Sequence, residues 1–315
     1  MTAEVSTRTV LSTGSLTGSH RQLPAVAAPR FSVIVPCFNE QGGIAGTVAH
    51  LRDSLKNAGH YELIIVNDGS TDSTAESLRK VQESDPLVRV IDHKRNRGYG
   101  AALKTGIRNS TSELIVITDA DGTYPNHRIP ELVDLMEDAD MVVGARTADD
   151  VEYPLIRKIP KAFLRAYAIW IAQQDIPDIN SGMRVFRRSL AERFFNILPD
   201  GFSFTTTITL AMLTNRYTVR YVPIGYSARI GKSKIKPIQD TLRFFQLILR
   251  TGMYFAPLRV FSPVLMATFL GFCASLGYDV FVLNDLTEKT LLLMILFINS
   301  TMFALLADMI DKRSS

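Results

Sequence analysis

The chain has 315 residues, of which 46% are hydrophobic and 21% charged, a composition that supports a sizeable core and excludes wholesale disorder. The net charge of +4 is too small to indicate a nucleic-acid-binding protein, and two cysteines do not indicate a disulfide framework. The length corresponds to about two domains.

Residues 1–30 are rich in Ser, Thr and Ala and contain no continuous apolar run of the kind found in secretory signal peptides. We predict a disordered tail here. From residue 31 to about 225, short apolar runs alternate with helical periodicity. The runs predicted to be strands are residues 31–35, 63–66, 88–91, 113–118 and 141–144. This alternation predicts an α/β domain with a mainly parallel, doubly wound, Rossmann-like sheet.

Two long uncharged runs follow, residues 260–278 and residues 290–307. Their lengths of 19 and 18 residues reach the lower limit for spanning a bilayer. A short polar segment separates them, so the pair predicts a transmembrane hairpin with both ends on one side of the membrane. The alternative is a pair of core helices in a soluble domain, but such helices should show a polar face, and neither run does.

Residues 229–259 carry seven bases against one acid. By the positive-inside rule, this window and the Lys-Arg pair at 312–313 predict that the α/β domain is cytoplasmic. Residues 237–256 combine a narrow polar stripe with an apolar face, which predicts a basic amphipathic helix at the membrane interface. A helix packed on the soluble domain is the alternative. The predicted organisation is a tail at 1–30, an α/β domain at 31–236, a juxtamembrane helix at 237–258, a transmembrane hairpin at 259–310 and a cytoplasmic tail at 311–315.

Three polar turns directly follow predicted strands: PCFNE at 36–40, NDGS at 67–70 and Asp-Ala-Asp at 119–121. In open α/β sheets, ligands bind outside the carboxyl ends of the strands, so the three turns should converge on one crevice. Asp119 and Asp121 can reach one divalent cation, and their hard oxygen ligands favour Mg²⁺ or Mn²⁺ over zinc. Such an ion would neutralise a diphosphate leaving group. A second Asp-Ala-Asp, at 138–140, precedes a strand and is therefore predicted to be a solvated loop at the opposite edge.

Taken in order, five motifs resemble those of family 2 glycosyltransferases of the GT-A fold. They are PCFNE, NDGSTD, Asn-Arg-Gly at 96–98, Asp-Ala-Asp-Gly at 119–122 and Ser-Gly-Met-Arg at 181–184. The resemblance covers about residues 31–236. With the hairpin that follows, the chain looks most like the polyprenyl-phosphate sugar synthases, the dolichyl- or undecaprenyl-phosphate glycosyltransferases. That group implies a nucleotide-diphosphate sugar donor, a divalent metal, a lipid phosphate acceptor and inversion at the anomeric carbon.

The resemblance also implies roles for residues of the donor site. Pro36, Asn39 and Glu40 resemble the first donor-binding turn. Asp68 resembles the carboxylate that reads the nucleobase, with a charge near a helix N-terminus as the alternative. Asp119 and Asp121 resemble the carboxylates that hold the metal and the diphosphate, and Asp121 is taken as catalytic.

Two further positions bear on the chemistry. Many lipid-phosphate members have Leu-Gln after the Asp-Ala-Asp, where the Gln is another metal ligand. Gly122 and Thr123 stand there in this chain, so Thr123 or water would take that place. Asp178, just upstream of the Ser-Gly-Met-Arg motif, is a candidate catalytic residue that orients the acceptor, with an ordinary turn residue as the alternative.

Basic residues mark the predicted acceptor-phosphate site, since a phosphate near −2 charge needs bidentate Arg and point-charge Lys partners. The predicted set is Arg146, Arg157, Lys158, Arg229, Ser233 and Lys234. Arg146 follows a predicted strand at the carboxyl edge of the sheet. Arg157 and Lys158 lie in a segment that resembles the family's flexible acceptor loop. The last three resemble the family's stretch ahead of the membrane helices. Attraction to anionic lipid headgroups is the alternative for the bases of that stretch.

The predicted function is transfer of one sugar from a nucleotide-diphosphate donor to a polyprenyl phosphate at the cytoplasmic membrane face. The second pKa of such a phosphate is near 6, so the acceptor needs no strong general base. One alternative is a membrane glycosyltransferase with a saccharide or diacylglycerol acceptor. Another is an inactive nucleotide-binding membrane scaffold, against which the intact Asp119 and Asp121 argue. The sequence predicts no nucleic-acid partner, and it leaves the sugar, the nucleobase and a homo-oligomer open.

Overall fold

The computed structural model describes residues 28–147, 165–226, 246 and 248–314. Seven strands of this part of the chain form one sheet, in the order β3-β2-β1-β4-β6-β5-β7. The strands are β1 Phe31–Cys37, β2 Tyr61–Asn67, β3 Val88–Asp92, β4 Leu114–Ile117, β5 Met141–Ala145, β6 Arg184–Arg187 and β7 Val219–Pro223. All five strands predicted from the sequence are confirmed as β1 to β5. The predicted tail falls outside the described residues, except for residues 28–30.

One strand reverses the direction of an otherwise parallel sheet. β6 pairs antiparallel with β4 on one side and with β5 on the other, whereas the remaining strand pairs are parallel. Arg184, the first residue of β6, is opposite Ile117, the last residue of β4. The segment that enters β6 therefore lies at the carboxyl ends of β1, β2, β4 and β5. A crevice that uses these strand ends can take residues from that segment as well.

Helices cover both faces of the sheet, as a doubly wound fold requires. They are α1 Ile44–Leu55, α2 Thr74–Ser84, α3 Tyr99–Asn109, α4 Ile129–Asp134, α5 Arg188–Arg193 and α6 Phe204–Thr214, with 3-10 turns at Asn126–Arg128 and Leu135–Glu137. Val33 of β1 packs in the core formed with α1 and α4, while the adjacent Ile34 packs in the core formed with α3 and α6. Successive strand residues point to opposite faces, so a continuous apolar run is what a strand buried on both sides needs.

The two C-terminal apolar runs form long helices. α7 spans Pro257–Tyr278 and continues as a π-helical segment at Asp279–Leu283, and α8 spans Glu288–Ser314. Both are long and apolar enough to cross a membrane, and only 6% and 11% of their most apolar windows are buried. Phe269 contacts Phe297, and the Ser275 hydroxyl lies 2.5 Å from that of Thr290, so the helices pack antiparallel as a hairpin. Core helices of a soluble domain would be buried, which disfavours that alternative.

The predicted juxtamembrane helix is described only from residue 246 onward, apart from residue 247, and residues 248–255 are helical. Ile248 is fully buried and packs with Ile171, which belongs to a helical stretch at residues 165–172. A Cβ at Gly252 would lie 2.6 Å from Ile171, and Phe255 makes an edge contact with Phe194. This part of the helix therefore packs on the α/β domain, as the alternative prediction stated.

Candidate active site

The turns after β1 and β2 meet, as the sequence predicted, and they hold each other in place through hydrogen bonds. Asn39 has φ of +56°, and its backbone N–H donates to the Ser70 hydroxyl at 3.0 Å. Its side-chain oxygen accepts the Thr71 N–H at 2.8 Å. The Glu40 N–H donates to the Thr74 hydroxyl at 2.9 Å. Asn39 and Glu40 therefore join the turn after β1 to the turn after β2 through hydrogen bonds that a sequence pattern cannot show. Pro36 is buried within β1.

Asp68 is buried, and its carboxylate fastens the backbone ahead of α3. Its Oδ1 accepts the Arg97 N–H at 2.9 Å and lies 2.6 Å from Nδ1 of His93, while its Oδ2 accepts the Gly98 N–H at 2.8 Å. These partners explain why a carboxylate that is 4% exposed is tolerated. The predicted nucleobase contact of Asp68 stays a prediction.

A cavity of about 530 Å³ lies beside these turns, between the ends of β2 and β3. Its lining includes Phe38 from the first turn, Gly69–Thr71 from the second and Lys94–Asn96 after β3. Asp68 is not among the lining residues, because its carboxylate is directed to the backbone of Arg97 and Gly98. The cavity is large enough for a flat heterocycle with its ribose.

Asp119 follows β4 and is held from two sides. The Tyr99 hydroxyl donates to Oδ1 of Asp119 at 3.1 Å. On the other side Gly182 approaches so closely that a Cβ there would lie 2.7 Å from Oδ2 of Asp119. Burial, and then the negative charge of Asp119, raise the pKa of Tyr99 well above its ordinary value, so Tyr99 keeps its proton and remains a donor. The sequence reasoning missed both contacts, although Tyr99 directly follows the Asn-Arg-Gly motif.

Asp121 is oriented by Thr123. The backbone N–H and the hydroxyl of Thr123 donate to Oδ1 of Asp121 at 3.2 and 2.7 Å. The intervening Ala120 carbonyl accepts the Thr47 hydroxyl of α1 at 2.7 Å, which ties this loop to the helix layer. The Thr123 hydroxyl therefore donates its proton to the Asp121 carboxylate and orients it. The metal-ligand place predicted for Thr123 or water stays a prediction.

The second Asp-Ala-Asp lies at the opposite end of the sheet, as predicted. Asp138 is exposed and forms a long ion pair with Arg220 at 3.9 Å. Asp140 accepts the Thr218 N–H at 2.9 Å and lies 3.7 Å from the Arg187 guanidinium. The first residue of the motif is solvated, while Asp140 helps to align the start of β5 with the segment that enters β7.

Arg146 follows β5 and forms a two-pronged ion pair with Asp178. Its Nε donates to Oδ2 at 2.7 Å and its Nη2 to Oδ1 at 3.0 Å. Burial alone would raise the pKa of Asp178, but the hydrogen bonds and charge of Arg146 outweigh it and hold that pKa below its ordinary value. Asp178 is thus an ionised partner of Arg146, and the catalytic, acceptor-orienting role predicted for it stays a prediction.

Two tyrosines complete this side of the crevice. The guanidinium of Arg146 lies over the Tyr226 ring at 5.3 Å, and that ring makes an edge contact with Tyr124. The Tyr124 hydroxyl accepts the Gly182 N–H at 2.6 Å. Burial, and then Asp119, raise the pKa of Tyr124 to about 12. Arg146 is therefore linked through Tyr226 and Tyr124 to the glycine that abuts Asp119.

Arg184, the last residue of the Ser-Gly-Met-Arg motif, is fully buried beneath the crevice. Its guanidinium donates to the Thr205 carbonyl at 2.9 Å, to the Thr209 hydroxyl at 2.8 Å and to the Ser181 carbonyl. Burial lowers its pKa from the ordinary value. Arg184 therefore joins the start of β6 to α6 and is not exposed to a substrate.

The remaining acceptor residues predicted from the sequence fall outside the described part of the chain. They are Arg157, Lys158, Arg229, Ser233 and Lys234. Among the described residues, no group of three or more His, Cys, Asp or Glu side chains is placed to hold a metal ion. Asp119 and Asp121 are thus a two-carboxylate set, which Mg²⁺ or Mn²⁺ commonly completes with substrate phosphate oxygens and water.

Residues 32–195 match the model of a family described as glycosyl transferase family 2. Dolichyl-phosphate hexose transferase of Haloferax volcanii is 30% identical over 208 residues, which cover 65% of this chain and 86% of that protein. The low-salt glycan biosynthesis hexosyltransferase of the same organism is 28% identical over 237 residues. That match covers 73% of this chain and only 56% of the relative's length.

A solved structure with the same fold is glucosyl-3-phosphoglycerate synthase from Mycobacterium tuberculosis, in complex with Mn²⁺, uridine diphosphate and phosphoglyceric acid. It aligns with a TM-score of 0.53 at 20% identity, over 71% of this chain and 78% of that one. At that identity the likeness shows the fold, which agrees with the mostly parallel sheet predicted from the sequence.

Proposed function

Because the chain belongs to glycosyl transferase family 2, we propose that this glycosyltransferase moves one sugar from a nucleotide-diphosphate donor to a polyprenyl phosphate. One observation supports the proposal: Asp119 and Arg146 are both linked to Gly182 at the same edge of the sheet. Asp119 abuts this glycine directly, and Arg146 is linked to it through two tyrosines. The similarity to a dolichyl-phosphate hexose transferase supports the lipid phosphate as acceptor.

The carboxylate pair fits a divalent cation, Mg²⁺ or Mn²⁺. Asp119 and Asp121 supply hard oxygen ligands at the carboxyl end of β4, where a diphosphate can complete the coordination. Bound there, the cation would neutralise the diphosphate as it leaves. Tyr99 and Thr123 each donate a hydroxyl hydrogen bond to one carboxylate of this pair, which fixes its orientation before any ligand arrives.

Arg146 is the described member of the acceptor site. Two of its five guanidinium N–H groups donate to Asp178, and its side chain is 28% exposed, so other N–H groups can reach a phosphate. The Asp178 charge offsets that of Arg146, however, and a phosphate near −2 needs further cations. We assign that part to Arg157, Lys158, Arg229 and Lys234, with the Ser233 hydroxyl as a donor.

In the proposed reaction, an acceptor phosphate oxygen forms a bond to the anomeric carbon while the bond to the donor diphosphate breaks. The phosphate is mostly ionised at pH 7, so no residue must remove a proton from it. This agrees with an Asp178 that is already paired. The chain's part is to hold the two anions near each other in line, which favours inversion.

The membrane hairpin would keep the enzyme at the surface where a polyprenyl phosphate presents its head. Residues 229–259 carry the net positive charge, which supports a cytoplasmic active site by the positive-inside rule. α7 begins directly after the helix that docks on the α/β domain, and the Arg259 guanidinium donates to the Ile171 carbonyl. This connection would set the height of the crevice above the bilayer.

The test is a donor panel with the full chain in vesicles that contain undecaprenyl phosphate, read by mass spectrometry of the lipid. The proposal expects one hexose added to the lipid phosphate, in a reaction that chelation of divalent metal stops. Transfer only to a saccharide or to diacylglycerol would contradict a polyprenyl phosphate as the acceptor and favour the alternative acceptor instead. Nucleotide binding without any transfer would favour the inactive scaffold.

A further inference from the structure

An exposed aromatic ring lies next to Tyr99, the residue that donates to Asp119, and is not part of the buried core clusters. Phe202 is 85% exposed, and its ring stacks on that of Tyr99 with centroids 5.6 Å apart and an angle of 9° between the planes. The contact with Tyr99 is therefore offset, and most of the Phe202 ring is open to solvent. Single exposed apolar side chains are common on protein surfaces, so exposure alone does not assign a function to Phe202.

The loop that carries Phe202 is fixed to the start of α3. The Ala101 N–H donates to the Asp200 carbonyl at 3.0 Å, and Lys104 forms an ion pair with the Asp200 carboxylate at 2.7 Å. A Cβ at Gly98 would collide with the Asp200 carbonyl, and one at Gly100 with that of Pro199. These contacts fix the backbone of the loop that carries the exposed ring, so the ring does not sit on a mobile loop tip.

Tyr99, which Phe202 contacts, and the two tyrosines linked to Arg146 belong to opposite faces of the sheet. Tyr99 packs with the core of α3 and α6, on one face of the sheet. Tyr124 and Tyr226 pack with the core of α1 and α4, on the other face. Asp119 and Gly182 contact Tyr99 and Tyr124 respectively.

We propose that Phe202 is the platform on which the apolar face of the transferred sugar packs. This inference rests on the proposed function, because a sugar that leaves a diphosphate held at Asp119 for a phosphate held at Arg146 must lie between these two residues. A hexose ring offers a flat C–H face that complements an exposed aromatic plane, and the contact with Tyr99 places the Phe202 ring beside the residue that holds Asp119. Phe202 would therefore contact the sugar, while the turns after β1 and β2 would bind the nucleotide.

The experiment compares Phe202→Ala with Phe202→Tyr, which keeps the ring, by titration calorimetry on the full chain. UDP-glucose and GDP-mannose are titrated beside UDP and GDP. For whichever nucleotide sugar the wild-type chain binds, Phe202→Ala should raise the dissociation constant by about 3–10-fold, as expected for the loss of one aromatic contact. The dissociation constant of the corresponding nucleotide should change by less than about twofold. Phe202→Tyr should restore the affinity. Leu87→Ala is the matched control, since Leu87 is 51% exposed and precedes β3 at the opposite edge.

Turnover with farnesyl phosphate and undecaprenyl phosphate separates the sugar from the lipid tail as the ring's ligand. A sugar platform predicts the same relative loss in Phe202→Ala with both acceptors. A loss confined to the long acceptor would overturn the proposal in favour of a contact with the prenyl chain. Equal weakening of nucleotide and nucleotide sugar, or no weakening, would also overturn it. If the wild-type chain binds nucleotide sugar but transfers nothing to lipid, the proposed function fails while the calorimetry still decides the role of Phe202.

Discussion

Arg146 and Asp178 are joined by three hydrogen bonds, because the Arg146 backbone N–H also donates to the Asp178 carboxylate at 3.1 Å. The residues are 32 positions apart, so the pair ties the end of β5 to the segment that enters β6. The aspartate therefore fixes both the position and the charge of the arginine that we assign to the acceptor phosphate. Asp178 is a positioning residue in this arrangement.

The first prediction concerns pH. The folded-state pKa of Asp178 is lower than its value in an unfolded chain, so the pair is intact above the unfolded value of 3.8 and is lost only as pH falls through the lower folded value. The rate should therefore show no ionisation of Asp178 between pH 5 and 9. Asp178→Asn should lower kcat/KM for lipid by about 10–150-fold, as for a lost charge-assisted bond, and keep the shape of the profile. A limb in the profile that vanishes in Asp178→Asn would show a general base instead.

The second prediction contrasts the two Asp-Ala-Asp loops. Asp121→Asn should reduce turnover at least about 100-fold, since an amide is a poorer partner for a cation and a diphosphate. Asp140→Asn should leave turnover nearly unchanged, because Asp140 lies at the other end of the sheet and an amide oxygen can still accept the Thr218 N–H. The measurement is steady-state turnover at saturating donor. Equal losses at the two positions would contradict the assignment of the active edge.

The third prediction concerns the close approach of Gly182 to Asp119. Gly182→Ala would place a methyl group 2.7 Å from Oδ2 of Asp119, so the carboxylate must shift. We expect turnover to fall by about 10-fold or more while the melting temperature changes little, because a side-chain end can move at small cost. Gly46→Ala is the control, since nothing lies within 4 Å of its Cβ position on α1 and alanine favours a helix. A Gly182→Ala protein with full turnover would show that the position of Asp119 is not critical.

Much of the α/β domain could be predicted because its strands are buried on both faces. Runs such as residues 63–66 have no polar residue to break them, so pattern alone identifies them. β6 was missed because it has four residues and begins and ends with arginine. Burial of Arg184 there depends on acceptors that α6 supplies from positions 205 and 209, beside the nearby Ser181 carbonyl, and no local pattern shows the α6 partners.

The site shows the same division. The turns after β1, β2 and β4 could be placed together, since parallel strands end at one edge. The partners of Asp68 and Asp178 could not, because they lie 25 to 32 residues away and depend on how the segments pack. Phe202 could not be predicted either, because its contact with Tyr99 depends on how its loop packs on the start of α3.

The last prediction concerns where the chain can be cut from its C-terminal helical hairpin. Removal of residues 237–315 would also remove the helix at 248–255, and would uncover apolar surface at Ile171 and Phe194. Removal of residues 257–315 keeps Ile248 and Phe255 in place. Each large apolar side chain whose burial is lost costs about 1.5–3 kcal/mol, so the chain ending at 256 should melt at a higher temperature and aggregate less.

Both truncated proteins should bind nucleotide, since the turns after β1 and β2 are intact, and both should lose turnover on undecaprenyl phosphate in vesicles. Thermal melting and light scattering test the first half of this prediction, and calorimetry with lipid kinetics tests the second. If the two truncations have the same stability, the helix at 248–255 does not belong to the α/β domain in solution. Full activity of either one on the long-chain lipid would show that the hairpin is not needed to present the acceptor.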